Sequence, residues 1–132
     1  SEWARAGQLA AERAAYVEAV DHFGAALASL KGCDLDAGAA QAELEILLAL
    51  APALLVIKLW SAPEVLQTYL RARDLAAESG TAAQAFAATY GLYLQSIMTG
   101  RLRQAQDFAR ELLEMASQHA DKSLQLPVIH SL

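Results

Sequence analysis

From Ala39 to Ile57 the chain is apolar on almost every side of a helix, with Leu44, Leu47, Leu48, Leu50, Leu54, Leu55 and Ile57 distributed around the whole wheel. A helix without a polar face must be covered by neighbours on several sides, so this segment predicts a buried central helix within a set of helices. Its longest uncharged apolar run, Ile46 to Ile57, is closed by Lys58. That run is short of the roughly 20 residues needed to cross a bilayer, and no membrane association is expected. Pro52 lies inside the segment and removes the hydrogen bond to the Leu48 carbonyl, which predicts a kink or a break. Ser61, Pro63 and Glu64 then read as a helix start: Ser61 at the N-cap, Glu64 three residues on in a capping box, and proline in the first turn. The helix they open is expected to run to about Glu78, with Gly80 as its stop.

The flanking segments carry the same period. A first block from about Glu2 to Leu30 places Ala15, Ala19, Val20, Phe23, Ala26, Leu27 and Leu30 at helical spacing, and a break near Arg13 to Ala15 would divide it into two antiparallel helices. Lys31 to Gly38, with two glycines and two aspartates, reads as a loop. From Thr81 to Thr99 a further helix presents Phe86, Tyr90, Leu94 and Ile97 along one stripe, and Gly100 supplies a tight turn. The next helix, Arg101 to about His119, is expected to bury Leu102, Ala105, Phe108, Ala109, Leu112 and Leu113. Asp121 reads as another N-cap. The expectation is an all-α chain of six helices and the start of a seventh.

Composition agrees with helices and excludes several functions. Of 132 residues 55% are hydrophobic, with only 7 glycines and 3 prolines, which excludes a disordered tail and leaves no expected strand. A formal charge of -5 argues against nucleic acid, whose phosphates call for clustered Lys and Arg. The nearest basic group, Arg101, Arg103 and Arg110, has Asp107 and Glu111 beside it and reads as a solvated mixed-charge surface. The single cysteine, Cys33, has no intrachain disulfide partner and suits a reducing cytoplasm. The absence of an initiator Met and of a signal-peptide pattern, with an apolar end at Leu132, leads to the expectation of a piece of a larger cytoplasmic protein.

The sequence carries no recognisable catalytic or cofactor signature. No glycine-rich stretch ends in Gly-Lys-Ser/Thr, so backbone amides have no phosphate to surround, and neither a dinucleotide fingerprint nor a Gly-x-Ser-x-Gly elbow occurs. His22, His119 and His130 are far apart and lack zinc-ligand spacing. Asp34, Asp36 and Glu45 stand at positions 1, 3 and 12 of a calcium loop, but Ala39 occupies the obligatory glycine position. Glu43 and Glu45 are two apart on a helix and point in different directions, unlike a shared acid/base pair. The expectation is a chain that is not an enzyme and takes no cofactor and no metal.

Helix pairs recurring along a chain are the mark of a repeat protein. Tyr16, Ala19, Phe23, Ala26 and Leu27 follow the order of the second helix of a tetratricopeptide repeat, with Trp3 and Gly7 in its first. Val65, Tyr69 and Ala72 repeat the spacing of Ala19, Phe23 and Ala26, and Gly100, Leu102, Ala105, Ala109 and Leu112 supply a third unit. The anchors Ala19, Val65 and Ala105 are 46 and then 40 residues apart. Both spacings exceed the standard repeat of about 34. Approximate units are therefore 1–33, 39–79, 81–119 and a truncated 121–132, about three helix pairs plus the start of a further helix, in a right-handed α-α superhelix. A plain six-helix bundle is the competing architecture.

Ala51-Pro-Ala-Leu54, Lys58-Leu-Trp60 and Ser61-Ala-Pro-Glu-Val65, with Arg71-Ala-Arg-Asp-Leu75 and Gly91-Leu-Tyr-Leu94, resemble the helical-repeat tail of bacterial class III adenylate/guanylate cyclase-like ATPases. Leu59 departs from the glycine usual there. The resemblance implies a signalling protein in which a cyclase-type module and an ATPase domain precede degenerate tetratricopeptide repeats; the catalytic residues of such a protein would lie outside this segment. On that basis the leading expectation is a protein-interaction or regulatory module. By repeat position its concave surface is lined by Gln8, Glu12, Glu45, Tyr90, Leu94 and Met98, and receives a peptide, a neighbouring domain or a second copy. Two alternatives are an effector-sensing domain, with Trp60, Tyr69, Tyr90 and Tyr93 as pocket walls, and a spacer or dimerisation element pairing through the truncated end of the solenoid.

Overall fold

The computed structural model describes residues 2–31 and 37–131, with 121–131 as helical backbone only. Five helices make up the described residues: α1 (Glu2–Lys31), α2 (Ala37–Ile57), α3 (Pro63–Ser79), α4 (Ala82–Met98) and α5 (Leu102–Ser131). No described residue is in a strand. Each helix packs on the next, and α2 also touches α4. The all-α expectation holds; the number of helices is lower than expected at both ends.

At the N-terminal side there is no break near Arg13, and α1 runs for 30 residues, about 45 Å at the helical rise. Nothing in Arg13-Ala-Ala interrupts a helix, since alanine and arginine are strong helix formers and the expected break had only the repeat pattern behind it. The Arg13 guanidinium donates to the Val56 and Ile57 carbonyls at 3.5 and 3.3 Å. These are C-terminal carbonyls of α2 that the helix itself cannot satisfy, and the contact fixes α1 antiparallel to α2 with Arg13 level with its end. Residues 2–12 lie beyond that point and are all exposed. At the other end α5 continues through Asp121 without a cap, so the seventh helix is absent. The loop interior at 32–36, with Cys33, Asp34 and Asp36, lies outside the described residues, as does Leu132; Gly38 is already inside α2.

The apolar helix α2 is the centre, flanked by α1 and α3, with Leu44, Leu47, Leu50, Ala51, Ala53 and Leu54 buried. Gly38–Ile57 reaches a mean hydropathy of 1.8 and is long and apolar enough to cross a membrane by length and composition; a third of it is buried inside the fold. This stretch is longer than the run from Ile46 because it contains only two charges, Glu43 and Glu45. The helix passes unbroken through Pro52. That proline is exposed, so water can reach the Leu48 carbonyl it leaves without an N–H partner.

The turn into α3 differs from the expected capping box. Ala62 is the N-cap, without a side-chain hydrogen bond, and Pro63 takes the first helical position. This displaces Ser61 outside the helix, while Glu64 pairs with Lys58 across the turn. The Glu64 carboxyl is held below its usual range, first by that hydrogen bond from Lys58. A capping box is found instead at α4, where Gln84 N–H donates to Thr81 Oγ1 at 3.1 Å and Thr81 N–H to Gln84 Oε1 at 2.9 Å. Gly80 ends α3, and Gly100, at φ 78°, makes the left-handed turn into α5.

Two core clusters join α2, α3 and α4. Leu44 and Leu47 meet Ala72, Leu75, Ala76 and Ala88; Leu50, Ala51 and Leu54 meet Val65, Tyr69 and Leu92. Between α3 and α4 the Tyr69 ring lies so close to Gly91 that a Cβ there would stand 2.1 Å from its Cε1. No L side chain fits that gap without displacing a buried ring. Gly91→Ala is therefore expected to cost about 1–3 kcal/mol by overpacking. Gly24→Ala, on open α1 surface with nothing within 4 Å of the added Cβ, is expected to gain about 0.5–1 kcal/mol from helix propensity. Urea denaturation of the two variants checks both signs.

Candidate interaction surface

The inner face of α4 is made of small and polar residues, Ala88, Thr89, Gly91, Leu92, Gln95 and Ser96, and Leu92 is the one large aliphatic among them. Small side chains let neighbouring helices approach closely, and the polar atoms find partners within the chain. Thr89 Oγ1 donates to the Ala85 carbonyl at 2.9 Å, and Gln95 Nε2 to the Trp60 carbonyl at 3.5 Å. No buried side-chain N or O among the described residues lacks a hydrogen-bond partner.

The large residues of α4 point the other way. Phe86, Tyr90 and Ile97 are exposed at 40, 47 and 39%, Met98 at 61%, and Tyr93 and Leu94 are half-buried. Phe86 and Tyr90 stack at 6.4 Å between ring centroids and 8° between planes, and Tyr90 meets Tyr93 at 6.2 Å. The helix contains no charged residue. A contiguous aromatic and aliphatic stripe facing solvent on an uncharged helix is the surface feature that most calls for a partner.

A parallel stripe runs along α2, where Glu45, Ala49, Pro52 and Val56 are exposed. Phe86, Tyr90, Tyr93 and Ile97 follow these four residues at a constant separation of 41 in sequence. The same register holds inside, with Ala85 and Ala88 against the Leu44 and Leu47 cluster and Leu92 in the cluster of Ala51. Glu45 is thus level with Phe86, Ala49 with Tyr90, Pro52 with Tyr93 and Val56 with Ile97.

The six residues assigned by repeat position divide into two groups. Glu45, Tyr90, Leu94 and Met98 are on α2 and α4, three of them exposed and Leu94 half-buried. Gln8 and Glu12 are exposed on the projecting part of α1, past the end of α2, and belong to a different part of the surface. Phe86 and Ile97, members of the same α4 stripe, are exposed as well, opposite the small face that contains Gly91. Leu102 and Leu113, expected in the core, are 66 and 71% exposed, while Ala105 is buried and Phe108, Ala109 and Leu112 are half-buried. The Arg73 guanidinium lies 5.4 Å from the Phe108 ring centroid and 3.9 Å from Glu111, covering that part of α5. Arg110 pairs with Asp107 at 3.9 Å, on the mixed-charge surface.

The aromatic walls considered for an effector pocket do not come together. Tyr69 is in the core, Trp60 packs at its edge, and Tyr90 and Tyr93 are on the outer stripe. A groove of about 720 Å³ opens elsewhere, between α1, α2 and α3, lined by Gly24, Leu27, Leu30, Lys31, Leu47, Glu43 and Arg71 among others. Across it Arg71 binds Glu43 in a bidentate pair at 2.8 and 3.2 Å. No group of three or more His, Cys, Asp or Glu side chains able to hold a metal occurs among the described residues. No protein-family model matches the chain, and neither a curated protein nor a solved structure does.

Burial raises the Tyr69 phenol above the usual tyrosine value. The unfolded chain ionises at about 10, so the folded state holds the proton more tightly. This contribution to stability is complete below that value and is lost as pH rises through it towards the folded pKa. Tyr69→Phe is expected to flatten the decline of the urea midpoint between about pH 9.5 and 11; an unchanged decline would place the phenol in water.

Proposed function

We propose that this chain is a non-catalytic, tetratricopeptide-like helical-repeat module that binds protein through the joint face of α2 and α4. The observation that carries the reading is the outward stripe Phe86, Tyr90, Ile97 and Met98, with half-buried Leu94 beside it, on a helix without charge. Large apolar groups left in water along three turns cost free energy in the isolated chain, and burying them against a partner recovers it. The 41-residue register between α2 and α4 supports a lengthened repeat, in which α2 and α4 are the first helices of successive units, α3 and α5 the second, and the stack is a right-handed superhelix. The resemblance to the repeat tails of cyclase-like ATPases gives the module a place in a bacterial cytoplasmic signalling protein, next to a catalytic part that it would regulate or connect.

The reading is tested by a photo-crosslinking amino acid placed at Tyr90 and, as control, at Glu78, exposed on α3, in the intact protein expressed in its own cell. Crosslinks to protein from position 90 and none from position 78 are expected. A companion variant, Tyr90→Ala with Leu94→Ala, should keep the helical circular dichroism signal and weaken binding of the crosslinked partner at least tenfold. Loss of hot-spot aromatics commonly has that size. Undiminished binding with the fold intact would remove this face from consideration.

A further inference from the structure

Building on the proposed role of the α2 and α4 face, we infer that its occupant is an amphipathic helix with an apolar face and a Lys or Arg at the end beside Glu45 and Phe86. The two stripes differ in height. On α2 the middle of the stripe is Ala49 and Pro52, and on α4 it is Tyr90 and Tyr93, so the pair forms a low floor beside an aromatic wall. From position 45 to 56, or 86 to 97, the stripes extend over about 16 Å. That is three turns, which matches the apolar ridge of a helix laid between two parallel helices and anchored at i, i+4, i+7 and i+11.

Charge sets the chemistry of the occupant. Over the whole length of the two stripes the one ionisable carboxylate is Glu45, at the end where Phe86 begins the aromatic ladder. Among the described residues Glu45 has no ion-pair partner and meets the Gln41 amide at 3.4 Å, whereas Glu43, two residues before it, is held by Arg71. α4 brings no cation, and the chain as a whole carries a charge of -5. A carboxylate together with the negative faces of stacked rings attracts an ammonium or guanidinium and repels another carboxylate. Between the two ends the described residues of the stripes carry no charge, so an occupant must be apolar over the middle turns, and at the far end the Arg13 guanidinium stands on the Val56 carbonyl.

Three fluorescently labelled 14-residue helical peptides serve as probes: one with leucines at the four anchor spacings and Lys at its end, the same with Glu replacing Lys, and the Lys peptide with Ser replacing Leu. Anisotropy titration at low ionic strength is expected to show the Lys peptide binding at least about fivefold tighter than the Glu peptide, and no binding of the Ser peptide. In Glu45→Gln the preference for Lys over Glu should disappear, while Glu114→Gln, exposed on α5, should leave it intact. Equal or better binding of the Glu peptide, or a preference that survives Glu45→Gln, overturns the inferred chemistry and leaves the α2 and α4 face as a protein-binding surface. If no peptide binds, or if binding is indifferent to Tyr90→Ala, the inferred occupant and the use of this face fall together.

Discussion

The contact on which the rest of the molecule depends is the Tyr69 ring lying over Gly91. It brings α3 and α4 closer than any side chain at position 91 would permit, and that closeness decides which side of α4 turns inward. The inner face must be made of residues short enough for the gap, and it is: Ala88, Thr89, Gly91 and Ser96 surround the single Leu92. Once this face is committed to the core, Phe86, Tyr90, Ile97 and Met98 are forced outward, since the two sets share one helix and alternate around it. The exposed aromatic stripe is therefore a consequence of how the core closes. Thr89 and Gln95 are tolerated inside because each finds a backbone carbonyl, and a buried polar group without one would cost about 1–3 kcal/mol.

The central helix obeys a similar division. α2 is apolar all round, yet its Glu45, Ala49, Pro52 and Val56 edge is open, and it is at this edge that the proline is placed. A proline facing α1 or α3 would leave a carbonyl unpaired in an apolar interior. Facing outward, it leaves that carbonyl to water and keeps the stripe low. The Arg13 guanidinium performs the corresponding service at the end of α2, where two more carbonyls would otherwise be unmet. Backbone accounting thus explains why a 21-residue helix whose apolar residues surround its axis is compatible with a folded core.

Much of this was legible in the sequence, and the exceptions have physical causes. The stops at Gly80 and Gly100 and the extent of α4 follow from glycine punctuation and apolar period. The capping box Thr81-x-x-Gln84 has the same signature as the expected one at Ser61, but Pro63 prefers the first helical position and so excludes Ser61 from the cap. The breaks expected near Arg13 and Asp121 had no Gly or Pro behind them, and local propensity continued both helices. Of the residues that repeat position assigns to a concave surface, Tyr90 and Met98 are exposed on α4 and Leu94 is half-buried. Phe86 and Ile97 were harder to place, since large apolar residues at helical spacing ordinarily mark the buried face. The signal that could have placed them is Gly91 set among Ala88, Thr89 and Ser96, a small-residue face on the opposite side of the same helix.

Core and surface on α4 use different residues, so the two can be altered separately. The outer rings interact chiefly with one another, Phe86 with Tyr90 and Tyr90 with Tyr93, while the core is closed by Leu92, Gly91 and Ala88. A side chain whose neighbours are other exposed side chains contributes less to folding than one whose removal opens a cavity. Selection for a partner could therefore act on positions 86, 90 and 97 without disturbing the contact at 69 and 91.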